Sequence, residues 1–207
     1  MKDARDYKNI VFDMGHVLVE YSSSKAVEHF TDDPDLIREI RYVVFNSAEW
    51  QMLDAGLIPE ETVLDCTLKR LGSDRAREIA RKAYAEWEKY NLWLKPGMDR
   101  VVEALKARGQ RVYVLSNAGP RLPKCWRKVL PNPDQYDGVV FSAAEGCVKP
   151  QKWIYQILFE RYGLYPGECL FIDDLWWNIE GAKKCGMDGW CFSSGDVAEL
   201  RRTLQLD

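Results

Sequence analysis

The chain has 207 residues but only two histidines, His16 and His29, and none of its six cysteines forms a C-x-x-C pair. No histidine lies near a cysteine at zinc-finger spacing, which argues against a zinc centre or a disulfide framework. Cys66, Cys125, Cys147, Cys169, Cys185 and Cys191 read as reduced, mostly packed thiols. Basic charge is not in excess. The chain has 29 Lys and Arg against 32 Asp and Glu, a net charge of -3, so there is no general field to attract nucleic acid. No apolar run approaches the ~20 residues needed to span a bilayer. The first residues, Met1-Lys2-Asp3-Ala4-Arg5-Asp6, are charged and carry no apolar stretch of signal-peptide type. The expectation is a cytoplasmic chain with no membrane or nucleic-acid partner. Internal repeats and low-complexity linkers are also missing.

What is present fits a globular protein: 46% hydrophobic and 29% charged residues. The length suits one large domain, or one domain with a modest insertion. Residues 8–12 form a short apolar run, read as a buried strand, and Gly15 permits a tight turn after it. From about Ser22 to Trp93 no strong strand signal is found. Helical segments are expected over Pro34–Asn46, Pro59–Leu71 and Ser73–Tyr90, each opened by proline or by an acid in its first turn. After Pro96-Gly97 the pattern alternates. Strands are expected at Arg111–Leu115, Gly138–Phe141, Glu168–Ile172 and Gly189–Phe192. Helices are expected at Met98–Arg108, Leu122–Leu130, Lys152–Tyr162, Trp177–Cys185 and Val197–Leu204. Such alternation predicts an α/β fold with a parallel sheet and right-handed crossovers. The expected layout is a Rossmann-like core of residues 1–20 and 94–207, with a small helical cap of residues 21–93 inserted after the first strand.

Four segments place reactive residues just after predicted strands: Phe12-Asp13-Met14-Gly15, Leu115-Ser116-Asn117, Val148-Lys149-Pro150 and Ile172-Asp173-Asp174. A parallel sheet brings its strand C-terminal ends to one crevice. Three carboxylates gathered there repel one another and call for a cation. A lysine and a hydroxyl beside a caged Mg²⁺ suit an anionic ligand, phosphate first. Taken singly, each residue has a plain structural reading. Asp13 is equally a turn aspartate, Lys149 a solvated lysine, and Asp173-Asp174 a helix cap.

Together the four segments resemble, in order and spacing, the motifs of the haloacid dehalogenase superfamily of hydrolases. The resemblance spans nearly the whole chain, including Pro96-Gly97 and Asn178-Ile179-Glu180-Gly181-Ala182. The helical insertion resembles the small cap of its first subclass. Within the superfamily the chain most resembles small bacterial phosphatases that act on sugar phosphates such as α-D-glucose 1-phosphate. The resemblance implies Mg²⁺-dependent hydrolysis of a small phosphorylated metabolite through an aspartyl-phosphate on Asp13. It makes Ser116, Asn117 and Lys149 the phosphate-binding groups. It makes Asp13, Asp174 and the Gly15 carbonyl direct metal ligands, with Asp173 binding through water or orienting Lys149. The expected assembly is a monomer or a small homo-oligomer.

One position departs from the pattern. Many phosphatases of the superfamily carry a second aspartate two residues after the nucleophile, as general acid–base, and here that residue is Gly15. Such assistance is typically worth ~10²–10⁴-fold in rate. His16, with an unperturbed imidazole pKa of ~6.5, is a candidate substitute. A metal-independent 2-haloacid dehalogenase and a non-catalytic phosphate-ligand binding protein are the alternative readings. Trp176 and Trp177, beside the carboxylate pair, are read as core, as a cap contact or as a wall of the site. Glu49, Trp50, Trp93 and Arg121 are weaker candidates for substrate contacts, and His29 has no supporting context.

Overall fold

A computed structural model describes residues 2–206; residues 1 and 207, the outer ends of the expected core segments, lie outside it. The central sheet is built from five strands: β1 (Asn9–Phe12), β4 (Arg111–Ser116), β5 (Gly138–Phe141), β6 (Cys169–Asp173) and β7 (Asp188–Cys191). Their order is β5-β4-β1-β6-β7, and every neighbouring pair is parallel. The run Ile10-Val11-Phe12 is entirely buried, as a strand covered on both faces must be. Alternation along it sends Ile10 and Phe12 to one core and Val11 to the other. The first core also takes Val112, Val114, Leu170 and Ile172; the second takes Tyr113, Leu115 and Phe171.

β1 is the central strand, and the chain leaves it toward β4 and β5 before crossing back to β6 and β7. The strand order therefore reverses beside β1, where open parallel sheets place their ligands. Phe12 is in register with Val114 on one side and Ile172 on the other. The backbone N–H of Asp13 donates to the Ile172 carbonyl at 2.8 Å. The ends of β4, β1 and β6 thus come to one edge of the sheet, with Asp13 beside Asp173 and Ser116 one residue further along β4.

Helices cover the sheet: α6 (Met98–Ala107), α7 (Leu122–Val129), α8 (Ser142–Glu145), α9 (Lys152–Tyr162), α10 (Trp176–Lys184) and α11 (Val197–Thr203). The insertion after the first strand carries α1 (Lys25–Glu28), α2 (Pro34–Ile40), α3 (Ala48–Asp54), α4 (Glu60–Leu68) and α5 (Asp74–Tyr90). Local chemistry starts several of these. Asp33 caps α2 ahead of Pro34, Ser47 caps α3 and Ser73 caps α5, each through its side chain. No helix among the described residues is long and apolar enough to cross a membrane. All six cysteines are free.

The insertion differs from the sequence expectation at several points, among them α1, which none of the expected helical segments covers. The stretch read as one helix over Pro34–Asn46 is α-helical only to Ile40; Arg41–Phe45 is a π-helical turn closed by the Asn46 N–H on the Arg41 carbonyl at 3.0 Å. The helix α3 was not expected. A two-stranded antiparallel ribbon, β2 (Val19–Tyr21) with β3 (Leu92–Leu94), joins the two ends of the helical layer. Its strands are three residues long, too short for a periodic signal.

One close approach ties the sheet's flanking helices to the site. A Cβ on Gly181 of α10 would lie 2.8 Å from both the Cβ and the carbonyl oxygen of Pro150, and 2.9 Å from the Tyr155 hydroxyl. Gly181→Ala must push the Lys149-Pro150 turn away from α10. It is expected to lower stability by about 1–3 kcal/mol, read from the midpoint of urea unfolding. An unchanged midpoint would show that the turn yields freely.

Candidate active site

Asp13 follows β1 directly and is 8% exposed. Its Oδ1 accepts from the Met14 backbone N–H at 2.6 Å and from the Lys149 ammonium at 2.8 Å. No described residue donates to its Oδ2. Lys149 is buried, and its Nζ also donates to Asp173 Oδ2 at 2.7 Å. A single ammonium therefore joins the ends of β1 and β6.

Asp173 is 0% exposed and fully engaged. Its Oδ1 accepts from the Leu175 N–H at 2.8 Å and from Asn178 Nδ2 at 3.0 Å; its Oδ2 accepts from Lys149 and, at 3.1 Å, from the same Asn178 amide. Asn178 thus holds the loop after β6. Asp174, one residue on, is half-buried and lines the cavity above. One ligand atom from each of Asp13, Asp173 and Asp174 lies within 4.8 Å of the others.

The electrostatics follow from crowding. Burial pushes the Asp13 carboxyl above the usual range; Lys149 pulls it down, while Asp173 and Asp174 raise it further. Burial also raises Asp174, helped by the charge on Asp173 and opposed by His16 and Lys149. For Lys149, burial works against the charged form, but Asp13 and Asp173 outweigh it and hold the ammonium above its ordinary value. With every group ionised, the one lysine leaves two of the three negative charges unbalanced. Hard carboxylate oxygens in this number suit Mg²⁺.

Ser116, the last residue of β4, is 2% exposed and lines the same cavity. Asn117 lines it too, but its side chain is committed elsewhere. Its Oδ1 accepts from the Lys149 backbone N–H at 2.8 Å and its Nδ2 donates to the Lys149 carbonyl at 3.0 Å. The amide thus clamps the lysine's backbone, which leaves the Asn117 N–H as the group to offer an anion. Pro150 stands in the turn ahead of α9, which begins at Lys152.

Gly15 faces open space, with no atom within 4 Å of an added Cβ. His16 has φ +57° and an exposed ring at the rim of the cavity. Its Nδ1 lies 4.0 Å from Glu20 Oε2, and Glu20 is also paired with Lys95.

The cavity holds about 410 Å³. Its floor is Asp13, Ser116, Asn117, Lys149 and Asp174. On the side of the insertion it is lined by Tyr21, Phe45, Trp50 and Trp87, together with Asn46, Ser47, Gln51 and Asp54. Of the weaker sequence candidates, only Trp50 reaches it. Glu49 is held by Arg70, and Trp93 is exposed on β3. Arg121 binds Glu60 and Glu88 together with the Tyr84 and Ala85 carbonyls, strapping α7 to the insertion. His29 stacks on Tyr90 at 4.0 Å. Trp176 and Trp177 are neither core nor wall: they stand 63% and 44% exposed, edge-to-face with each other at 5.9 Å. Asp54 was not read from the sequence. The available signal was an acid ahead of Ala55-Gly56, a helix C-terminal position where acids are disfavoured.

The mouse protein named acyl-CoA dehydrogenase family member 10 is 29% identical over 88% of the chain, which spans 18% of that much longer protein. D-ribitol-5-phosphate phosphatase of Bacteroides thetaiotaomicron is 28% identical over 96% of the chain and 97% of its own length. The fold is similar, at a TM-score of 0.67 and 21% identity, to a haloacid dehalogenase family enzyme from the same organism, solved in complex with magnesium and inorganic phosphate. That likeness covers 94% of this chain and 98% of the other. A model of the haloacid dehalogenase-like hydrolases matches residues 7–186. The chain belongs to the haloacid dehalogenase-like hydrolase family.

Proposed function

We propose that the protein is a Mg²⁺-dependent phosphatase that hydrolyses a small phosphate monoester, a sugar or polyol phosphate, through an aspartyl-phosphate. The observation that carries this reading is the Asp13–Lys149–Asp173 bridge beneath a cavity into which Asp174 and Ser116 also face. Asp13 is the nucleophile. Its Oδ1 is held by two donors, and this fixes the carboxylate plane. Lys149 screens the approach of a phosphoryl group to that carboxylate. Ser116 and the Asn117 N–H take phosphoryl oxygens. Asp13, Asp174 and the Gly15 carbonyl would hold the metal, and Asp173 serves by orienting Lys149. Bound Mg²⁺ would shield the like charges and hold nucleophile and phosphoryl group in line. His16 stands at the mouth as a solvent-facing proton carrier paired with Glu20.

The substrate class rests on the cavity. Its size suits a small metabolite. Asn46 and Gln51 offer hydrogen bonds to hydroxyl groups, and the aromatic rings that line the same cavity pack against carbon. The relative that acts on D-ribitol 5-phosphate supports the same class. Residues 21–93 act as the cap, and residues 1–20 with 94–207 as the catalytic core.

The deciding experiment is phosphate release from sugar phosphates, polyol phosphates, nucleotides and p-nitrophenyl phosphate, with Mg²⁺ or with EDTA. Release that needs Mg²⁺ and is lost in Asp13→Asn is expected. Halide release from 2-chloropropionate in EDTA would instead establish the dehalogenase reading. Tight binding of a phosphate ester without turnover would establish a binding protein.

A second expectation concerns the bridge. Lys149→Met strands two buried carboxylates and should lower stability in EDTA by about 3–5 kcal/mol, measured by urea unfolding, as well as abolishing turnover. A loss under about 1 kcal/mol would mean that one carboxyl sheds its charge by binding a proton.

A further inference from the structure

An alcohol leaves phosphorus readily only if its oxygen gains a proton, and Gly15 has no side chain to supply one. In-line displacement places the leaving oxygen, and later the attacking water, on the side of phosphorus away from Asp13. That side of the cavity is roofed by the helical insertion. Asp54 is the carboxyl that lines this cavity outside the Asp13, Asp173 and Asp174 cluster.

Several independent features single it out. Asp54 is the last residue of α3, where the helix dipole disfavours a negative charge. It forms no ion pair among the described residues. The backbone N–H of Gly119 donates to its carboxyl. Its Oδ1 would lie 3.3 Å from a Cβ on Gly119, so the loop that follows Ser116 and Asn117 comes close to it. Roof and phosphate loop therefore meet at this carboxyl.

The charged groups on neighbouring elements are occupied elsewhere. Glu60 of α4 binds Arg121, Glu145 of α8 binds Arg161, and Arg41 of the π turn binds Ser23. Tyr21 of β2 and Tyr84 of α5 are held neutral chiefly by burial. Burial pushes the Asp54 carboxyl up to about 8, against the Gly119 N–H.

We propose that Asp54 is the general acid–base of this enzyme, acting from the cap on the leaving oxygen of an alcohol phosphate in place of a residue at position 15. The inference rests on the phosphatase reading above. In the first half-reaction an Asp13 oxygen bonds to phosphorus and the ester P–O bond breaks. The Asp54 proton passes to the departing oxygen, giving the alcohol. In the second, the Asp54 carboxylate takes a proton from a water whose oxygen bonds to phosphorus, and the P–O bond to Asp13 breaks. Inorganic phosphate leaves with Asp54 protonated again and Asp13 a carboxylate.

The test compares kcat/KM for the alcohol phosphate hydrolysed fastest in the panel with that for p-nitrophenyl phosphate, whose phenolate departs without a proton. Asp54→Asn should lower the first by about 10²–10⁴-fold and leave the second nearly unchanged. It should also turn p-nitrophenol release into a burst, because the covalent intermediate then lacks its base. In wild type, kcat/KM for the alcohol phosphate should fall as pH rises through about 8, where Asp54 loses its proton. That limb should vanish in Asp54→Asn and persist in His16→Ala.

Thermal melting checks the fold separately. The native carboxyl holds its proton above the range of the unfolded chain, so wild-type stability falls as pH rises toward 8. Asp54→Asn should therefore melt higher, by a margin that widens from pH 5 to pH 8. Equal losses on both substrates, no loss on either, a limb that follows His16, or a margin that narrows with pH would each overturn the assignment. Wild type that releases no phosphate from any ester would overturn the phosphatase reading with it.

Discussion

The ammonium of Lys149 between Asp13 and Asp173 is the interaction on which the site depends. Three carboxylates at the ends of adjacent strands repel one another, and burial amplifies the repulsion. Lys149 answers part of it at 2.8 and 2.7 Å. A buried ion pair holds only if its remaining lone pairs and protons are satisfied, and the surrounding contacts meet that condition for Asp173, while Asp13 Oδ2 has no donor among the described residues. Asn178 and the Leu175 N–H saturate Asp173. Asn117 clamps the backbone of Lys149 from both sides. Gly181 lets α10 press against Pro150.

These supports divide the work between adjacent acids. Asp173 is sealed and cannot turn toward a ligand; Asp174 is half-buried and faces the cavity. Asp13 stands between them, with one oxygen held and the other without a donor. Strand alternation explains the split, because consecutive residues at the end of β6 point to opposite sides. The same rule separates the two cores along β1.

The polar floor comes from strand ends and the aromatic roof from the insertion, so charge and shape are set by different parts of the chain. Arg121 ties them together on one side and the β2–β3 ribbon on another. Gly15 has room for a side chain and carries none; the proposed reaction therefore looks to the roof for a group that acts on the leaving oxygen. A carboxyl at the end of α3, pressed on Gly119, meets that need from an element outside the four motifs.

Much of this was legible in the sequence because it is local. Apolar runs, helix caps and residues that follow a strand directly are set by neighbours along the chain, so the five core strands and most helices fell within a residue or two. The four motifs singled out Asp13, Ser116, Asn117, Lys149, Asp173 and Asp174 as candidates, and parallel topology implied that they meet. Side-chain partnerships across the fold were not legible. Nothing local says that the Asn117 amide turns to Lys149, that Trp176 and Trp177 remain in solvent, or that the Arg121 guanidinium straps α7 to the insertion. The three-residue strands β2 and β3 and the seven-residue α3 are too short to show a period. The environment of Asp54 follows from burial by distant residues, and desolvation has no signature in the order of amino acids. The sequence by itself determined which chemical groups stand at the strand ends. Only the tertiary structure decided which of them are saturated, which face the cavity, and which further carboxyl joins them there from the insertion, because those depend on long-range packing.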